Sequence, residues 1–368
     1  MGSSGREGKP IRFAAAPGER VVLDGTEPIS GKWELWRGHI YRVRTPEPFE
    51  QLFVDRRMMI EARWPNARFD QMLDRSRWAK AGKGSRYGKI VCPELAGTRV
   101  DWTGALAHLN IAHQWWSWTR TVTAYQRGSD TFTYPTNCQG ALVEESYRNP
   151  TGWRARLWED DYFYLSGKLE ALDMPTEWFR DDETGELYLW PDDGKDPTGR
   201  RIEYKKRTYA FDVANADYVE LRGFDFFATS FRFTNCNHCV VEDCRLMFPT
   251  YSRRIVDRDP VRRPLPATAM RGDYNVVRCV RLAYANQAGI MLWGQYNTIE
   301  DCLVHDTNWD GVLGHGAVVA RPPWNVKDGH GSIIRRNTLY NCGNAIIEFN
   351  GRDSVVEYNH VYNGGLAC

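Results

Sequence analysis

From Tyr218 to Cys368 the chain repeats itself in steps of about 22 residues, and few folds accept such a text. In register the repeats read Tyr218-Val-Glu-Leu-Arg-Gly-Phe, Cys239-Val-Val-Glu-Asp-Cys-Arg, Asn275-Val-Val-Arg-Cys-Val-Arg, Asn297-Thr-Ile-Glu-Asp-Cys-Leu, Ser332-Ile-Ile-Arg-Arg-Asn-Thr and Ser354-Val-Val-Glu-Tyr-Asn-His. A β-branched pair, a charged pair and then Cys, Asn, Gly or Val suit a short strand that turns one face inward before a tight bend. Second strands are expected in Ala288–Trp293, Asp310–His315 and Asn344–Phe349. Helical periodicity is absent. Such a unit cannot bury its own apolar face, but coils stacked at about 4.8 Å can, so the expectation is an all-β chain built as a β-solenoid. Asp306, Asn341 and Asn363 recur at matching places, as do Asn337 with Asn359 and Tyr340 with Tyr362. They read as turn ladders rather than as catalytic groups.

Two coils are interrupted. One excursion, between Arg245 and Arg271, carries Arg253, Arg254, Arg258, Arg262 and Arg263; the other, between Gly316 and Gly331, carries Arg321-Pro-Pro-Trp324 and His330. Loops on a rigid repeat scaffold commonly carry its function. Toward the start, Ile11–Gly18, Val21–Gly25 and Ile40–Val43 read as opening coils. From about Pro46 to Lys206 the rhythm gives way to strands separated by Gly, Asp and Pro, such as Gln51–Val54, Thr119–Tyr125 and Leu187–Trp190. Three segments are therefore expected: first coils over 1–45, an inserted β-rich domain over 46–206, and further coils over 207–368.

A chain of 368 residues with a formal charge of +1 has room for two structural units and no global field pointing to nucleic acid or an anionic membrane. No apolar run has the length of a membrane span, and nothing after Met1 resembles a signal peptide. Cys236, Cys239, Cys244, Cys279, Cys302 and Cys342 all fall in the periodic segment, where stacked free thiols serve as small hydrophobes. The Cys236-x-x-Cys239 pair has no second pair at zinc spacing and no acidic cluster has calcium-loop spacing, so neither metal nor cofactor is expected. Fifteen tryptophans are unusual for this length and serve as core or as platforms for apolar sugar faces.

The opening Gly5-Arg-Glu-Gly-Lys-Pro-Ile11, the Ala16-Pro-Gly-Glu-Arg-Val21 and Leu23-Asp-Gly25 stretches, the Glu61-Ala-Arg-Trp-Pro-Asn66 motif, and Pro175–Phe179 leading to Thr184–Pro191 together resemble the bacterial right-handed parallel β-helix proteins of carbohydrate metabolism. The nearest are the β-helix glycosidases with α-fucosidase or xylanase activity. The resemblance implies an all-β right-handed parallel β-helix with an inserted antiparallel β-rich domain, truncated at both ends, with extracellular or periplasmic placement. It also implies catalytic carboxylates on coils beyond this chain. The expected partner is a polysaccharide or oligosaccharide substrate, with no nucleic acid and no membrane, and the expected state is a monomer.

Glycoside hydrolysis needs two carboxylates about 5–9.5 Å apart, one with a raised pKa. Asp310 and Glu348 are the local candidates, although strand alignment sets Asp310 opposite Asn344 and so roughly 13 Å from Glu348. The same alignment sets Glu348 opposite Gly314 and Leu292, with His315 close enough to exchange a proton. Trp293, Trp309, Trp324, Arg321 and His330 are candidates for walling a sugar subsite, each with packing as its ordinary alternative. A hydrolase is the first reading. A polysaccharide lyase acting on uronic-acid glycans, with arginines neutralising the carboxylate, and a non-catalytic carbohydrate-binding solenoid are the alternatives.

Overall fold

The computed structural model describes residues 4–111, 114, 116–135, 159, 161–255, 265–323 and 325–367. Among them the chain is strand and turn, with a few short 3-10 turns and no α-helix. It divides into two units, one of Met1–Thr26, Lys205–Ser252 and Pro266–Ala367, the other of Glu27–Tyr204 with Arg253–Leu265.

The first unit is made of three parallel sheets that the chain visits in turn. One holds Ile11–Ala14, Val219–Arg222, Val240–Glu242, Val276–Arg278, Thr298–Glu300, Ile333–Arg335 and Val355–Glu357 in that order. A second starts at Val21–Asp24 and Phe224–Phe227 and ends at His360–Tyr362; the third runs from Tyr209–Ala214 through Ile290–Trp293 and Val318–Arg321 to Ile347–Phe349. The register explains the repeat. Leu221, Val241, Val277, Ile299 and Ile334 fall on one line and are wholly buried in one continuous core. Each inward apolar side chain contributes on the order of 1.5–3 kcal/mol.

The repeat register needs one correction. Val240 pairs with Glu220, so the partner of Cys239 is Val219 and that of His238 is Tyr218; the first repeat is offset by one residue from the sequence alignment. Core alternation decides this, because a slip of one would turn Val219 and Leu221 outward. Tyr218, His238, Tyr274 and Tyr296 then occupy equivalent turn positions, all left-handed with φ of 54°, 54°, 58° and 56°. Their rings stack at 4.7, 4.9 and 4.9 Å, and His330 adds a fifth ring at 4.9 Å. Stacking helps offset the strain of that backbone region. Because each ring covers its neighbour's face, this ladder offers no flat platform to a sugar.

The other ladders are as expected. Asn341 Nδ2 donates to Asp306 and Asn363 Nδ2 to Asn341, while Tyr340 stacks on Tyr362 at 4.9 Å. Asn337 is 1% exposed; its Oδ1 accepts from Cys302 N–H at 2.9 Å, and its Nδ2 donates to Ile299 O at 3.1 Å and Asn359 Oδ1 at 2.9 Å. Asn337→Ala leaves a buried N–H unpaired, so about 1–3 kcal/mol of stability should be lost, checked by urea unfolding. Cys236, Cys239, Cys244, Cys302 and Cys342 are buried free thiols, whereas Cys279 is exposed at a left-handed turn position. Burial pushes the Cys239 and Cys302 thiols up to about 12, which makes them poor metal ligands and poor nucleophiles.

One expected strand is misplaced. Residues 310–315 form a turn, and the strand of that coil is Val318–Arg321, paired with Ile290–Trp293 and Ile347–Phe349. Asn308 closes the turn by exchanging side-chain bonds with Val312, as Nδ2 to O at 2.9 Å and N to Oδ1 at 2.8 Å, and Gly311 and Gly314 take φ of 66° and 82°. A short segment expected as strand is here a loop held by a buried asparagine.

In the second unit, Ile40–Arg44 is extended as expected but pairs antiparallel with Glu34–Arg37 and Glu186–Leu189 instead of stacking in a parallel sheet. Strands near the expected positions appear as Leu52–Val54, Trp116–Thr121 with Ala124–Tyr125, and Glu186–Leu189.

Candidate functional site

In the third parallel sheet, Ile290, Leu292, Val318 and Ala320 face the main core. The alternate residues Ala269, Met291 and Val319 form a second apolar cluster on the opposite face. Glu348 is next on that outer line, since Met291 pairs with Val319 and Val319 with Glu348. It therefore lies opposite Val319 rather than Gly314 and Leu292, and the displaced strand of that coil is the reason. A carboxylate thus ends a line of buried apolar side chains.

The turn over 310–317 approaches this position. A Cβ built on Gly314 would sit 4.0 Å from both Arg321 Nη2 and Glu348 Oε2. Arg321 Nη1 is 3.6 Å from Glu348 Oε2, with both side chains about 15% exposed (15% and 16%). Glu348 Oε1 is buried and has no hydrogen-bond partner among the described residues. Burial raises the pKa of Glu348, against the lowering effects of Arg321 and the Gly316 backbone, and no second carboxylate is among these causes. The result is a shielded carboxyl group biased toward its protonated form.

His315 is directed to Gln287, with Nδ1 3.0 Å from Oε1, and Glu348 is not its hydrogen-bond partner. Burial and then the Arg321 charge push the imidazole down to about 4. Its folded pKa therefore lies below the unfolded value near 6.5, so its contribution to stability is full above about pH 6.5 and is lost as pH falls toward 4. The loss is at most on the order of 3 kcal/mol. Urea unfolding at pH 7 and pH 4.5 should show this acid limb in the parent chain and a smaller one in His315→Gln; equal limbs would remove His315 as its source.

The other expected residues are distributed differently. Asp310 is 4% exposed in the turn, where Asn344 Nδ2 donates to the neighbouring Gly311 O at 3.3 Å; the strand alignment that set Asp310 opposite Asn344 does not hold, because the strand of that coil is Val318–Arg321 and Val318 pairs with Ile347. Trp309 is 2% exposed, donates to Asp306 O at 2.9 Å and meets Tyr251 edge-on, so it packs rather than walls a subsite. His330 belongs to the turn ladder and has Asp353 3.2 Å from Nδ1. Trp293 does lie on the site's sheet, paired with Arg321. Trp324 lies outside the described residues, as do Arg258, Arg262 and Arg263 of the first excursion. Arg271, 4.1 Å over the Trp293 ring, and Gln287 are contributors that sequence reasoning missed; equivalence of Arg271 with Trp293 one coil on was the available signal.

The second unit holds a polar cluster of its own. Glu61, the first residue of the Glu61–Asn66 motif, is ion-paired with Arg253 and accepts from Ser166 Oγ at 3.3 Å, which in turn lies 3.1 Å from His108 Nε2. Burial raises Glu61 and holds His108 well below its usual range. Glu177, completely buried, accepts from the Asp173 and Met174 N–H groups at 3.2 Å, and burial pushes it up to about 8. Glu61, Ser166 and His108 are all under a tenth exposed, so the cluster is a packing element rather than a substrate site. Among the described residues no group of three or more His, Cys, Asp or Glu side chains is arranged to hold a metal ion.

The sheets and this site define an all-β protein with large parallel sheets and a shielded acid on an outer strand face. No protein-family model matches the chain, and no curated protein matches it. A solved structure described as "Glycoside hydrolase" is similar over 99% of this chain and 86% of its own, with 13% identity and a TM-score of 0.54, which shows a shared fold. A second, described as the complex of XylC with xylose, is 12% identical over 98% of this chain and 54% of its own, with a TM-score of 0.44.

Proposed function

We propose that this chain is a carbohydrate-active protein of the right-handed parallel β-helix type, and that it hydrolyses glycosidic bonds with Glu348 as the proton donor. The observation that carries this reading is Glu348 itself: a carboxyl group whose pKa burial raises, with one oxygen lacking a partner among the described residues, at the end of an apolar line. A general acid for glycoside cleavage needs such a setting, because it must be protonated to deliver a proton to the leaving oxygen. Asp310 is not its partner in this reading, so the second carboxylate is supplied by another group. The fold shared with a structure described as a glycoside hydrolase agrees with the reading. The native setting that suits a polymeric glycan is extracellular or periplasmic.

A lyase is the second reading, favoured by one observation: Arg271 and Arg321 flank Trp293 on adjoining strands, and paired guanidinium groups can neutralise a uronate carboxylate. Incubating the purified chain with neutral and acidic plant and algal polysaccharides, and following reducing ends with ultraviolet absorbance, separates the two. New reducing ends without absorbance are expected. Absorbance from an unsaturated product moves the assignment to a lyase, and glycan binding without either signal leaves a binding module.

A further inference from the structure

We propose that the Asn350–Gly351 step is a site of self-modification, at which the Gly351 backbone nitrogen attacks the Asn350 side-chain amide and converts it to a succinimide and then, with water, to aspartate or isoaspartate. The inference goes beyond the glycan reading and does not depend on it. The sequence holds two Asn-Gly steps, Asn350–Gly351 and Asn363–Gly364, and the fold treats them differently.

Parallel stacking leaves Gly351 with an N–H that the ladder of strands does not use. Arg271 pairs with Trp293, so Gly272 and Gly294 follow at equivalent places; their N–H groups donate to Trp293 O at 2.9 Å and Arg321 O at 3.0 Å, each one coil on. Register continued from the Ala320–Phe349 pair puts Gly351 at the same place. Its N–H turns back instead to Asn350 Oδ1, at 2.7 Å. The nitrogen is thereby held against the side-chain amide that it attacks. Glycine is required here, because φ is 109° and a Cβ would lie 2.7 Å from Gly331 Cα, so no side chain shields the nitrogen. Asn350 is exposed, and its Nδ2 has no partner among the described residues.

The step balances with water alone. Gly351 N bonds to Asn350 Cγ, the Cγ–Nδ2 bond breaks, and Nδ2 leaves as ammonia carrying the proton that Gly351 N gives up. Water then opens the five-membered ring at either carbonyl, and opening to isoaspartate adds a methylene to the main chain two residues after Glu348. Two other asparagines each lack part of this arrangement. Asn363 Nδ2 is held by Asn341 Oδ1 at 3.1 Å, and among the described residues Gly364 N–H makes no bond to the Asn363 side chain. Asn344 does accept from Ala345 N–H at 2.6 Å, but it is 7% exposed, its Nδ2 is held by Gly311 O at 3.3 Å, and a methyl group follows.

The test is incubation of the whole chain at neutral and mildly alkaline pH, with peptide mapping by mass spectrometry and enzymatic methylation to detect isoaspartate, beside the urea-unfolded chain and Asn350→Gln. The mass gain of an amide turned acid separates this reaction from isomerisation at Asp-Gly steps, which leaves mass unchanged. In the folded chain, conversion at Asn350 should run roughly tenfold or more ahead of Asn363, the advantage of a held geometry, and should quicken with pH as the amide nitrogen loses its proton more readily. In urea the two Asn-Gly steps should react alike. Asn350→Gln would have to close a six-membered ring, so conversion at that position should vanish while circular dichroism stays that of the parent. Equal rates at the two steps in the folded chain overturn the proposal, as does an Asn350 that stays intact when folded and converts in urea. An excess at Asn350 that persists in urea overturns it too, because it would belong to the flanking side chains and not to the fold.

Discussion

Replacing Glu348 by glutamine should lower glycan cleavage by a factor on the order of 10²–10⁴, the range a positioned general acid contributes. The substitution keeps the shape of the side chain and removes only the transferable proton. Burial raises the pKa of Glu348, and the amide matches the carboxyl group in size and shape, so the fold should be little disturbed. The pH profile carries the sharper expectation. A general acid works only while protonated, so the parent's kcat/KM should fall as pH rises through the raised pKa of Glu348. That alkaline limb should be missing from the residual activity of Glu348→Gln. Measuring kcat/KM across pH for both proteins checks this, and an unchanged rate with an unchanged limb would move the acid to another residue.

Arg253→Ala should destabilise the second unit by about 3–5 kcal/mol, the cost of leaving one member of a buried ion pair uncompensated. Glu61 is 9% exposed and takes its positive partner from Arg253. The same segment is anchored by two hydrogen bonds, with Thr119 N–H donating to Ile255 O at 2.9 Å and Ile255 N–H to the Thr119 side-chain Oγ1 at 2.9 Å, so the arginine is delivered by a pinned stretch of chain. For a unit of this size the loss corresponds to a fall in melting temperature of about 10 °C. Pairing Arg253→Met with Glu61→Gln removes both charges and should recover much of the loss. Scanning calorimetry of the single and double variants decides it: a double variant no better than Arg253→Ala would show that packing of the arginine stem, not its charge, matters.

Much of the repeat was legible because its signals are local. A β-branched pair followed by charges alternates inward and outward, and the inward residues Val241, Val277, Ile299 and Ile334 form one buried line. Asparagines spaced by one coil became stacked amides for the same reason. The errors came where local text is ambiguous. Asp310 to His315 carries a short apolar core that reads as a second strand, but Asn308 folds it into a turn through two side-chain bonds; moving the true strand to Val318–Arg321 then moved Glu348 opposite Val319. Tyr218 was one residue out of register because both alignments place a β-branched residue beside a charge, and only the shared core chooses between them.

Of the site, Glu348, His315 and Arg321 were legible as polar residues at the interrupted coils, where function tends to lie. Trp309 and His330 looked equivalent to them in the sequence, yet one is buried against Tyr251 and the other caps a ring ladder. By itself, the sequence determined an all-β chain with coils of about 22 residues, its inward lines and its turn ladders, because periodicity and side-chain chemistry act between neighbours one coil apart. The tertiary structure alone decided that Ile40–Arg44 pairs antiparallel, that Arg253 meets Glu61, and that Glu348 ends an apolar line facing Arg321. These depend on register and on loop closure, which bring together residues that the period does not relate, and their pKa values follow from the burial that only packing creates.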